Sequence, residues 1–156
     1  MIELLEIHHD RDMRSWQPAL SVVPDGYMNF ALSSQNGRFR FPILLEVDMA
    51  TMDRKRWEEK ITRYARFFEG EFQATFGTNA ATVAVIVNGE QKRVEDLKRW
   101  TENELKAQQL DELSDVFYFA LHDDTVTPAA LFCSPRFQSV FSSAPECLLP
   151  LALPSI

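Results

Sequence analysis

Arg38-Phe-Arg-Phe-Pro-Ile-Leu-Leu-Glu-Val-Asp48 is the stretch on which the fold turns. Arg38, Phe39, Arg40 and Phe41 alternate with the two-residue period of a strand that has one exposed face, whereas Ile43, Leu44 and Leu45 are continuously apolar. That change of pattern is expected where a strand runs from an exposed edge into a sheet centre covered on both faces. Residues 38–48 are therefore read as the longest strand of the chain.

The flanking residues arrange themselves around it. Upstream, Pro24-Asp25-Gly26 is turn chemistry, Tyr27 to Leu32 is a strand, and Ser33-Ser34-Gln35-Asn36-Gly37 is a polar hairpin loop. Residues 16–23 read as extended, with Pro18 confining them to an edge, and residues 1–7 as a frayed helix or a strand. His8 to Asp12 reads as a polar connection. Downstream, Thr51 is a suitable N-cap, Trp57, Ile61, Tyr64 and Phe68 form one helical stripe, and Gly70 closes the helix. Thr82 to Val87 is a β-branched run typical of a buried parallel strand. A second long helix over 90–108 presents Val94, Leu97, Thr101 and Leu105 inward. Val116 to Leu121 is a further strand, Ala129 to Cys133 a short one, and a helical turn is expected near Phe137. The expectation is an α/β domain, a mixed central sheet flanked by helices, occupying residues 1–156 as a single unit.

Composition narrows the functional classes. The 156 residues are 46% hydrophobic and 25% charged, enough for one sizeable core. No apolar run is long enough for a membrane span and the first residues lack a signal peptide's pattern, so a cytoplasmic protein without membrane contact is expected. Cys133 and Cys147 lack zinc-site or disulfide spacing and are read as free, mostly buried thiols. The adjacent His8 and His9 are not read as ligands of one ion, and no nucleophile elbow supports serine chemistry. Phe132, Phe137, Phe141 and Trp16 are assigned to the core, while the apolar tail from Leu148 to Ile156 either packs on the sheet or forms a partner surface. A net charge of −7 argues against tight autonomous DNA binding. Basic residues gather in two places: Arg54, Lys55, Arg56, Lys60, Arg63 and Arg66, then Lys92, Arg93, Lys98 and Arg99. Interspersed acids make these solvated faces, with a local basic rim around an acidic site as the alternative.

The chemistry rests on a few residues. Glu46 and Asp48 have the same strand parity, so their side chains share a face, roughly 7 Å apart at Cα. Asp25 begins the neighbouring hairpin strand, where antiparallel pairing brings it beside them. Three carboxylates suffice for one octahedral Mg²⁺ site, and such an ion polarises a phosphoryl oxygen and acidifies an attacking water. Lys60 lies at the edge of the apolar stripe, roughly 70° from its centre, so its stem can lie on the sheet with the ammonium at the strand ends.

These motifs, Pro24-Asp25-Gly26, Leu45 to Thr51 and Lys60 to Tyr64, resemble in order and spacing the signatures of the replication-relaxation family of plasmid and mobile-element proteins. Val85 to Val87 with Arg93 resembles that family's next strand and helix, so the likeness runs over residues 14–121. Ala50 stands where the family commonly has glycine. The resemblance implies a PD-(D/E)XK (restriction-endonuclease-like) core, normally preceded by a winged-helix DNA-binding region that this chain lacks, so that it corresponds to the C-terminal half alone. It further implies that Asp25 and Glu46 bind Mg²⁺ or Mn²⁺, with Asp48 at the usual lysine position and Lys60 as the relocated lysine. On this reading Asp25, Glu46 and Asp48 hold metal, while Glu46, Lys60 and Tyr64 serve catalysis, Tyr64 by buttressing Lys60. The expected function is DNA processing of the plasmid replication type, with Mg²⁺-dependent phosphodiester hydrolysis. The alternative is an inactive nuclease-fold module that dimerises or binds a winged-helix, replication or relaxase partner.

Overall fold

The computed structural model describes residues 1–15, 20–78 and 80–150. Within them one mixed sheet holds β1 (Ile2–His9), β2 (Gly26–Ser34), β3 (Gly37–Asp48), β4 (Thr82–Val87), β5 (Phe117–Leu121) and β6 (Gln138–Ser139), side by side in chain order. The first three strands form an antiparallel meander, β3, β4 and β5 run parallel, and β6 returns antiparallel. The parallel portion requires crossovers, supplied by helices α2 (Arg54–Arg66) and α4 (Gln91–Ala107). Short helices α1 (Asp10–Arg14), α3 (Phe72–Phe76) and α5 (Pro128–Cys133) complete the set. None of the described helices is long and apolar enough to cross a membrane.

β3 is the long strand expected over 38–48, begun one residue earlier at Gly37, and its two faces bury different cores. Leu44 packs with Trp57, Ile61 and Tyr64 of α2 and with Val94, Leu97 and Leu105 of α4. Ile43 faces the opposite way, against Ala84, Ile86, Phe132 and Phe137. Alternation along the strand therefore puts Glu46 and Asp48 on the face covered by α2 and α4. The two helices are tied by Trp57 Nε1, which donates to Thr101 Oγ1 at 2.9 Å within that core.

Several local expectations are corrected. Asp53, rather than Thr51, caps α2, its carboxylate accepting from Arg56 N at 2.9 Å. Gly70 does not end the helical run: the chain passes through a wide turn over Phe67–Glu71 into α3, and Gly77, at φ 70°, makes the left-handed stop. Of the two readings of residues 1–7 the strand is the one found, from Ile2, and the expected polar connection is divided, His8 and His9 ending β1 and Asp10 beginning α1. Ala129 to Cys133 is helical, because Thr127 caps Ala130 N and Pro128 occupies the first turn, where its missing N–H costs nothing. Near Phe137 the chain is extended, bridging to Glu146 and pairing with β5. Phe141 is exposed, unlike Phe132 and Phe137, and Cys147 is exposed while Cys133 is half-buried. The readings placed on Trp16, Pro18 and the last six residues lie outside the described residues.

Candidate functional site

The carboxylates expected on β3 lie at its C-terminal end, alongside the end of parallel β4, the edge where open α/β sheets commonly place their ligands. Both are buried, with side-chain exposures of 2% for Glu46 and 1% for Asp48. An ionised carboxylate at such depth requires partners, and each has its own set.

Glu46 is served by α2. Lys60 Nζ donates to its Oε2, and Tyr64 OH donates to its Oε1 at 2.5 Å. Lys60 and Tyr64 are one helical turn apart, so a single helix delivers cation and hydroxyl to one carboxylate. Burial pushes the Glu46 carboxyl up from its ordinary pKa, against the downward pull of Lys60 and Tyr64. Tyr64 is pushed well up, first by burial and then by the adjacent Glu46 charge. The tyrosine thus supports Glu46, not Lys60 as expected.

Asp48 is served by α4. Arg93 makes a two-pronged contact, Nε to Oδ2 at 2.9 Å and a terminal nitrogen to Oδ1 at 2.8 Å. The same guanidinium donates to the Met52 carbonyl at 2.7 Å and lies 5.2 Å from the Trp100 ring centre. The Asp48 hydrogen bonds are the main cause raising the Arg93 pKa further. Asp48 Oδ2 also accepts from Ala50 N at 3.3 Å, in a turn where Ala50 takes the left-handed φ of 58°. A non-glycine residue is strained there.

Asp25 lies beside the cluster, exposed, with Oδ2 accepting from Val47 N at 2.7 Å. Its charge adds to the upward pressure on Glu46. A cavity of about 120 Å³ next to it is lined by His8, His9, Asp25, Tyr27 and Leu45, among others.

The structure thus joins Glu46 with Lys60 and Tyr64 and brings Asp25 near them, while Asp48 goes to Arg93. The donor set does not fit an Mg²⁺ ion held by Asp25, Glu46 and Asp48 together. Both oxygens of each buried carboxylate already accept from a cation or a hydroxyl, and among the described residues no three His, Cys, Asp or Glu side chains are placed to hold a metal ion.

Arg93 is the site residue for which sequence reasoning assigned no role. The signal was present, since a buried acid at a strand end requires a cation. Val87 is level with Asp48 in the parallel register, so the next helix starts at the same edge.

The sequence model of the replication-relaxation family matches residues 3–82, just over half of the chain. The chain belongs to the replication-relaxation family. Asp25, Glu46, Asp48, Lys60 and Tyr64 of this replication-relaxation protein fall within the matched segment, whereas Arg93 falls outside it. No curated protein and no solved structure matches the chain.

Proposed function

We propose that this replication-relaxation protein serves plasmid or mobile-element DNA processing as a binding module on a nuclease-like fold. It contacts DNA or a replication or relaxase partner, alone or as a homodimer, without hydrolysing phosphodiester bonds. The observation that supports this reading is that Lys60 and Arg93 occupy the carboxylates a metal would need. Mg²⁺ demands near-ideal geometry and gives up its waters reluctantly, so it competes poorly for oxygens already held by hydrogen-bonded cations. The test is incubation of supercoiled plasmid with Mg²⁺ or Mn²⁺. The wild-type protein and Glu46→Ala are expected to leave the plasmid equally intact. Nicking by the wild type that disappears in both Glu46→Ala and Asp25→Asn would overturn the reading.

A second reading, Mg²⁺- or Mn²⁺-dependent hydrolysis, is favoured by one observation, the exposed Asp25 next to buried Glu46. Asp25 and Glu46 would then hold the ion, which supplies Lewis acidity toward a phosphoryl oxygen. Lys60 would turn from Glu46 toward the phosphate or the water, and Tyr64 would keep Glu46 oriented. Asp48, clamped by Arg93, takes no part.

A further inference from the structure

The six cations and two acids of the 13-residue helix α2 stand in a chain with sixteen basic and twenty-three acidic residues, so this helix is strongly positive on an acidic protein. Two of its cations are accounted for, Lys60 by Glu46 and Arg54 by Glu58. The other four are Lys55, Arg56, Arg63 and Arg66, all exposed and without an ion pair among the described residues. At about 100° per residue they fall within an arc of about 100°, centred opposite Trp57, Ile61, Tyr64 and Ala65. Only Glu59 shares that arc, and no apolar residue does. The stripe is about 16 Å long. On α4 four of the five cations are spent otherwise, Arg93 on Asp48, Arg99 on Asp96, Lys106 on Glu102, and Lys98 on Gln138 and the Ser142 carbonyl, which leaves only Lys92 exposed and without an ion pair among the described residues.

We infer that the outer face of α2 is the docking surface for the phosphate backbone of duplex DNA, an inference that rests on the DNA-processing reading above. Three of the four cations are arginine, whose planar fork matches phosphate oxygens in a two-pronged fashion. A protein interface would require an apolar or aromatic anchor, and the stripe has none. A membrane-surface helix would require a free apolar face, and that of α2 is buried in the core. Contacts to phosphates alone are sequence-independent, and their strength is set by ion release. The acidic remainder of the chain keeps binding weak and confines it to this face.

The test is fluorescence anisotropy of a labelled 30-base-pair duplex in EDTA, which removes metal chemistry from the measurement. Three to four phosphate contacts give a slope of about −3 in log affinity against log salt, about a 60-fold loss between 50 and 200 mM. Arg56→Glu/Arg63→Glu is expected to weaken binding by at least about tenfold and flatten the slope. Glu59→Lys, at an exposed position that does not endanger folding, is expected to tighten binding and steepen the slope by about 1. Wild-type affinity for anionic vesicles or for a second copy of the chain, with none for duplex, would overturn the inference together with DNA contact itself. Duplex binding that neither the double variant nor Glu59→Lys alters would overturn this surface alone.

Discussion

Glu46 and Asp48 stand two residues apart on one face of one strand, and the fold treats them differently. Asp48 meets a guanidinium that grips both oxygens and also holds the Met52 carbonyl, so the pair fixes the turn after β3 to the start of α4. Glu46 meets a flexible ammonium and a phenol from one helix, and its carboxyl is pushed up toward protonation. Asp48 with Arg93 is a brace, whereas Glu46 with Lys60 and Tyr64 is an adjustable group at the same edge. The difference comes from the partner chemistry, since Arg and Lys are not interchangeable where two prongs are needed.

Asp48→Ala probes the brace most severely. It leaves Arg93 without its carboxylate and should cost about 3 kcal/mol, by the penalty for breaking a buried pair. Urea denaturation reads it, and a loss no larger than that of Lys60→Met would break the distinction. Lys60→Met should cost about 2 kcal/mol at pH 8, because it leaves Glu46 buried without its cation. The sign of its pH dependence follows from Glu46, whose pKa is raised in the fold. Stability from such a group is fully present below the ordinary carboxylate range and falls as pH rises through the raised value. Removing Lys60 raises that value further, so the deficit should shrink toward pH 5. Melting curves of both proteins at pH 5 and 8 test this, and a deficit independent of pH would mean that Glu46 does not adjust.

Tyr64→Phe removes a buried donor to a carboxylate and should cost about 1.5 kcal/mol, with a pH dependence in the same direction. Chemical denaturation at two pH values sharpens the comparison by separating the phenol's share from that of Lys60. The smallest effect is expected at the turn joining β3 to α2. Ala50→Gly relieves a left-handed φ and should stabilise by about 0.5–1 kcal/mol, read as a small rise in Tm. A fall would mean that the Ala50 methyl packs usefully beside Gly89, its neighbour across the edge.

Where one periodicity dominates, the sequence was legible. The two patterns in residues 38–48 identify the central strand, and α2 and α4 bury the stripes their spacing marks. Legibility fails where local signals compete. Ala129 to Cys133 has a strand-like apolar run, but the Thr127 cap and Pro128 favour a helix, and Gly70 sits inside a wide turn that the surrounding phenylalanines hold in place. The site divides along the same line. Strand parity and helix phase brought Lys60 to the face of Glu46, since both depend on residues close in sequence, whereas Tyr64, expected to support Lys60, meets Glu46 only in the fold. Parity likewise put Asp48 on that face, but could not say which cation meets it there.

By itself, then, the sequence determined the strand at 38–48, the shared face of Glu46 and Asp48, and the reach of Lys60 to that face, because backbone period alone controls these. Only the tertiary structure decided that Arg93 takes Asp48 and that Lys55, Arg56, Arg63 and Arg66, expected on a solvated face, have no ion pair among the described residues. The meeting of Arg93 with Asp48 depends on the parallel register of β4 beside β3, which carries α4 to the same edge. Register is set by the burial of whole faces, not by any short stretch of chain.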